Sequence, residues 1–146
     1  MSKDIKIQYT ASAVSEGGRQ GQVKSSDGAI NLSTTEPKEI GGSGENGKTN
    51  PEQLFAAGYA ACFSSSVKLA AEQMGLSIAD EAIRTSCHVS LGKDLQDSGL
   101  GLVVKMELAV DGVSDEDKKR LIEKAHQLCP YSKALKGNVD VELQVN

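Results

Sequence analysis

The chain has no excess of positive charge: 16 Lys and Arg stand against 20 Asp and Glu, for a formal net charge of -4 and a pI near 5.2. Nucleic-acid binding needs a basic footprint, so neither DNA nor RNA is an expected partner. No apolar run approaches the roughly 18–20 residues of a membrane span. The start, Met1-Ser2-Lys3-Asp4, does not resemble a secretory signal, so no membrane is expected either. The cysteines, Cys62, Cys87 and Cys129, are odd in number and widely spaced, unlike the framework of a disulfide-stapled secreted domain. The cytoplasm is the expected compartment, and a cysteine pair there is more in keeping with transient redox chemistry than with a structural staple. No two cysteines have the Cys-x-x-Cys spacing of a zinc site. There is no internal repeat.

With 38% hydrophobic and 25% charged residues, the 146-residue chain has the composition of one globular domain, taken as residues 1–146. Its organising stretch is Asn50-Pro51-Glu52-Gln53-Leu54-Phe55-Ala56-Ala57-Gly58-Tyr59-Ala60-Ala61-Cys62-Phe63. Asn50 is a helix cap, Pro51 suits the first helical position, and Glu52 lies in the first turn, where the helix dipole favours an anion. Small and apolar residues continue through Val67, Leu69, Ala70, Ala71 and Met74, and Gly75 stops the helix. With no wide polar face, this helix is expected to be buried.

Strands are expected from the alternation of Ile5, Ile7 and Tyr9, then over Arg19 to Ser25 and Ala29 to Leu32, with turns at Gly17-Gly18 and Asp27-Gly28. Ile83 to Leu91 and Leu102 to Val110 form a hairpin. Its apolar faces carry Cys87, Val89 and Leu91, and Val104, Met106, Leu108 and Val110. Ser114 caps a surface helix that ends before Pro130, and Asn138 to Asn146 is a last strand. Regular βα alternation is absent. The chain therefore reads as α+β, with antiparallel sheets packed on a long central helix. One domain this small cannot easily surround such a helix, so a dimer that sandwiches two of them is expected.

The stretch from Thr49 to Phe63 resembles the signature of the organic hydroperoxide resistance proteins of the OsmC superfamily. So do Gly18-Arg19-Gln20-Gly21 and Ala125-His126-Gln127-Leu128-Cys129-Pro130-Tyr131-Ser132. The resemblance spans nearly the whole chain, and only Lys133-Ala134-Leu135-Lys136 is less typical. It implies the OsmC-like fold as an intertwined homodimer, and a peroxidase that reduces alkyl and fatty-acid-type hydroperoxides. In that activity Cys62 is the attacking thiol and Cys129 resolves its sulfenic acid as a disulfide. Arg19 stabilises the thiolate and Glu52 orients Arg19. No cofactor is bound; an external dithiol, dihydrolipoamide on a lipoyl protein, is the implied reductant.

The residues themselves add constraints. Peroxide is cleaved by a thiolate, and burial in an apolar helix raises a thiol's pKa, so Cys62 needs a cation. Glu52 and Cys62 are ten residues apart, about 15 Å along one helix. Either the helix breaks, as at Gly58, or Glu52 and Arg19 act on a partner chain's Cys62. The second option gives composite sites at a dimer interface and agrees with the burial argument. Leu54, Phe55 and Phe63 are candidate pocket walls.

Competing readings are weaker. Cys62 alone could be a packing residue, and Cys87 on an apolar strand face reads as inert core. His126 with Cys129, joined by Cys87 or His88, could hold zinc, but adjacent strand residues point to opposite faces. Cys-Pro-Tyr-Ser is also similar to a monothiol glutaredoxin motif, which would follow a strand early in a βαβ unit rather than a helix near the C-terminus. The alternative function is a non-catalytic redox sensor or binding dimer using the same cysteine pair. That reading expects an output surface such as a basic helix, and Ser114 to Leu128 is mixed in charge.

Overall fold

The structure, a computed structural model, describes residues 4–146; the reading of Met1 to Lys3 as no leader lies outside the described residues. Backbone contacts group the chain into one unit ending at Pro51 and a second over Glu52–Asn146.

In the first unit, β1 (Ala13–Glu16), β2 (Gln22–Ser25) and β3 (Asn31–Ser33) form an antiparallel sheet in that order. Two glycine turns fall where the sequence expects them. Gly17 and Gly18 adopt φ of 77° and 58°, and Gly28 adopts 77°, a region open to glycine at little cost. Arg19 belongs to the first of these turns and not to a strand, because β2 begins only at Gln22. The turn is tied down by buried Thr34, whose hydroxyl donates to the Gly18 carbonyl at 2.8 Å and accepts from the Gly21 N–H at 2.9 Å. The expected strand through Ile5, Ile7 and Tyr9 is absent. These residues are 69%, 76% and 83% exposed and join no ladder. Alternation marks a strand that could bury one face, but pairing needs a neighbour, and this chain supplies none there.

The second unit is organised by α1 (Pro51–Gln73), which starts at Pro51 as expected and runs unbroken through Gly58. It ends in a Schellman motif at Gly75 (φ 72°), with Leu76 N–H donating to the Ala71 carbonyl and Gly75 N–H to that of Glu72. α1 buries Tyr59, Phe63, Ser66, Val67, Ala70 and Ala71, while Ala57, Ala61, Ser65 and Leu69 remain exposed. Within one chain its burial is therefore one-sided. By length and composition α1 would also pass for a membrane span, which the sequence reading did not allow; here its apolar residues build the core.

That core faces a hairpin of β4 (Ile83–Lys93) and β5 (Leu100–Val110), with Cys87 opposite Met106 and Val89 opposite Val104. Val104, Met106, Leu108 and Val110 are buried, while Lys105 and Glu107 pair on the opposite face at 3.3 Å. Thr85 locks β4 to α1 by donating to the Ala60 carbonyl at 2.8 Å and accepting from the Ser64 hydroxyl at 2.7 Å. α2 (Asp115–Leu128) is capped as expected, with the Asp117 N–H donating to the Ser114 hydroxyl at 3.2 Å, and adds Leu121, Ile122 and Ala125 to the core. A short helix, α3 (Pro130–Leu135), follows. β6 (Val141–Val145) then pairs with β5 in parallel. This sheet is thus mixed, not antiparallel throughout, because the α2–α3 crossover returns the chain to the end from which β5 began.

Candidate active site

α1 and the α2–α3 corner bring two of the expected residues together. Cys62 lies on the fourth turn of α1, and Cys129 sits between the last residue of α2 and the first of α3, with no solvent exposure. Their sulfur atoms are 3.7 Å apart in the reduced state. A disulfide bond is about 2.05 Å long, so the pair can close by a movement on the scale of a side-chain rotation. The corner exists because Pro130 cannot continue α2 yet is well placed to begin α3.

The chemistry of Cys62 is set by opposing influences. Burial pushes its thiol above the ordinary range, and the nearby Cys129 adds to this, while the Tyr131 backbone N–H directed at the sulfur works the other way. The anion is thus favoured by one peptide dipole against a largely apolar setting. Cys87 is held to about 11, chiefly by burial, so it remains a thiol at neutral pH. Its neighbour His88 points to the opposite sheet face, 3.2 Å from Glu107. Burial also lowers the pKa of His126, whose Nδ1 is enclosed without a hydrogen-bond partner. Among the described residues, no three His, Cys, Asp or Glu side chains are grouped to hold a metal ion.

The chain has five Phe and Tyr residues, and four gather at this site. Tyr59 packs edge-on against Phe55 and Phe63 (centroids 6.1 and 6.2 Å) and lies 5.7 Å from the Tyr131 ring. Tyr59 also shares a 2.5 Å hydrogen bond with the Ser132 hydroxyl. Beside α3 is an apolar cleft of about 430 Å³ lined by Phe55, Pro130, Tyr131, Ala134 and Leu135. Of the anticipated walls Leu54, Phe55 and Phe63, Phe55 lines it; Leu54 is half-buried outside the lining and Phe63 is wholly buried. Sequence reading missed Tyr59, Tyr131 and Ser132 as parts of the site. Their spacing carried a signal: Tyr59 is one helical turn before Cys62, and Ser132 is three residues after Cys129.

The remaining two expected residues are less directly located. Glu52 is half-buried in the first turn of α1. Because α1 does not break, Glu52 stays about 15 Å along the axis from its own chain's Cys62. Arg19 is half-buried in the Gly17–Gly21 turn of the first unit.

Such a fold, with a cysteine pair between a long core helix and a helical corner, defines a class. A profile of the OsmC-like proteins matches residues 43–144. The organic hydroperoxide resistance protein of Xanthomonas axonopodis pv. citri is 46% identical over 143 residues, covering 98% of each chain. A solved structure of such a protein from Legionella pneumophila superposes with a TM-score of 0.88 at 42% identity, covering 97% of this chain and 99% of that one. One from Vibrio cholerae gives 0.88 at 38%, covering 99% and 96%; it holds captopril in one of its active sites. The chain belongs to the organic hydroperoxide resistance proteins of the OsmC-like family.

Proposed function

We propose that this protein is a thiol peroxidase that detoxifies organic hydroperoxides. The carrying observation is the 3.7 Å approach of Cys62 and Cys129 beside an apolar cleft. The Cys62 thiolate attacks the terminal peroxide oxygen, the O–O bond breaks, and the alkoxide leaves as an alcohol after taking a proton. Cys62 is then a sulfenic acid. The Cys129 sulfur displaces its hydroxyl, which leaves as water, and forms the disulfide. A dithiol restores both thiols by exchange and is itself oxidised to a disulfide. Dihydrolipoamide on a lipoyl protein is the proposed reductant and the cytoplasm the proposed compartment. The cleft along α3 takes the alkyl part of the substrate.

Arg19 supplies the cation that the buried thiolate requires, and Glu52 directs the guanidinium by a bidentate pair. The unbroken α1 supports placing these two residues on the Cys62 of a partner chain, in a homodimer with two composite sites. The exposed small side chains Ala57, Ala61 and Ser65, and the exposed Ile5, Ile7 and Tyr9, are surfaces that such an intertwined dimer would cover.

The decisive experiment is single-turnover oxidation of the reduced protein by an alkyl hydroperoxide, followed by intact mass and peptide mapping. The expected product has lost two hydrogens and carries a Cys62–Cys129 link. Two retained thiols, or oxidation at Cys87, would overturn the assignment. Continued turnover with excess peroxide and dithiol distinguishes an enzyme from a sensor, which would be oxidised once and stop.

A further inference from the structure

α1 and the α2–α3 corner, which carry the two cysteines, touch at matched positions. On α1, Tyr59 precedes Cys62 by three residues; on the other side, Ser132 follows Cys129 by three. Residues three apart share a helical face, and the two pairs meet as parallel rungs: sulfur to sulfur at 3.7 Å and Tyr59 Oη to Ser132 Oγ at 2.5 Å. Both hydroxyl-bearing residues are enclosed, at 0% and 3% exposure, so water does not compete for the bond. Burial pushes the Tyr59 phenol up, which keeps it un-ionised at neutral pH.

The rung adds a polar tie to a small element that is otherwise held by the Tyr131 ring against Phe55 and Tyr59 and by Leu135 against the core. α3 has six residues, and Ser132 is its only buried one. Its first turn delivers two groups to Cys62: the Cys129 sulfur and the Tyr131 N–H. Gly58 lets this turn lie close, since a Cβ there would stand 3.1 Å from Tyr131 Oη. Were α3 to swing away from α1, the second thiol would go with it.

We propose that Tyr59 and Ser132 are positioning residues for the resolving step, their hydrogen bond holding Cys129 where it meets the Cys62 sulfenic acid before a second peroxide does. This rests on the peroxidase reading above. The sulfenic acid has two fates. Displacement of its hydroxyl by Cys129 gives the disulfide and water. Attack on a second hydroperoxide gives the sulfinic acid and an alcohol, which is not reversible by thiols. The first rate is independent of peroxide and depends on the position of α3, whereas the second rises with peroxide concentration. The peroxide concentration at which half of Cys62 becomes sulfinic therefore equals the resolving rate divided by the rate constant for the second attack, whatever the speed of the first.

The test is that half-point, read by intact mass in the full-length reduced protein with tert-butyl hydroperoxide, for the unsubstituted chain, Tyr59→Phe, Ser132→Ala and the double variant. Each variant is expected to lower the half-point by about tenfold, the scale on which one buried hydrogen bond moves a rate. The double variant is expected to lower it no further than either single one, because all three lose the same bond. An unchanged half-point, or shifts that multiply in the double variant, would overturn the proposal. The double variant leaves neither hydroxyl unpaired, so it carries the test should a single variant fold poorly. If the unsubstituted protein forms no Cys62–Cys129 disulfide at low peroxide, the peroxidase reading itself fails, a result separate from the behaviour of Tyr59.

Discussion

Removing the Arg19 charge tests whether a cation outside α1 ionises Cys62. A thiol of ordinary acidity near 8.5 is only about 3% thiolate at pH 7. Burial pushes Cys62 above that range, so without a cation its thiolate fraction falls below about 3%, a deficit of more than about 30-fold against full ionisation. The sign follows from the direction of the shift: a raised thiol pKa means that thiolate, and with it the attack rate, is gained as pH rises. In Arg19→Ala the second-order rate with an alkyl hydroperoxide, followed by stopped flow under single-turnover conditions, should climb by about tenfold per pH unit from pH 6 until Cys62 ionises. The unsubstituted protein should be nearly flat over the same range. Arg19→Lys should restore part of the ionisation but not the bidentate geometry, so its profile should flatten while its plateau stays low. An Arg19→Ala protein with a flat profile and an undiminished rate at pH 7 would refute the reasoning, since burial alone cannot leave the thiolate populated.

Other expectations are equally direct. Cys129→Ser should still reduce one equivalent of peroxide, then accumulate a dimedone-reactive sulfenic acid and no internal disulfide, as read by mass. Cys87→Val should leave the Cys62–Cys129 disulfide yield unchanged, and at pH 8 Cys87 should resist alkylation, because its thiol titrates at about 11. Gly21→Ala should cost about 1–3 kcal/mol in chemical denaturation, because a Cβ there would fall 1.9 Å from the Glu16 carbonyl oxygen and only backbone movement can relieve it. In verified mixed dimers, Arg19→Ala chains paired with Cys62→Ser chains should regain one working site per dimer; no recovery would place Arg19 on its own chain's cysteine.

Elements with strong local chemistry were legible in the sequence. The Ser114 cap, the Pro51 start and the Gly75 stop of α1, the two glycine turns and the two faces of β5 all lie where short-range rules put them. What escaped was non-local. Strand alternation at Ile5, Ile7 and Tyr9 specifies a face but not a neighbour, and the residues stand exposed. Alternation is likewise blind to direction, so β6 could be recognised as a strand without its parallel pairing to β5. α3 is too short for periodicity to show, and Pro130, read as the end of one helix, also begins the next. At the site, Cys62 and Cys129 were singled out through resemblance, but the Tyr59–Ser132 bond joins residues 73 apart. No local pattern links them; it emerges only once the α2–α3 corner lies on α1.

The placement of the cysteines in an apolar core explains why the rest of the proposed machinery has to come from elsewhere. The Phe55, Tyr59, Phe63 and Tyr131 rings give the cysteine pair an apolar setting. The same setting raises the Cys62 pKa and so works against the first step. A lysine or arginine built into the buried face of α1 would have to be desolvated permanently. A cation carried on a separate turn, such as that of Arg19, can meet the thiolate at the rim of the core and keep part of its hydration. Glu52, at the N-terminal end of α1, cannot serve its own chain's Cys62 across about 15 Å of continuous helix. Two-fold pairing of chains offers a way to bring one chain's Glu52 and Arg19 to the other's Cys62 without breaking that helix. An apolar core that raises the Cys62 pKa cannot itself supply the charge that lowers it, and that is the argument for the proposed pairing of chains.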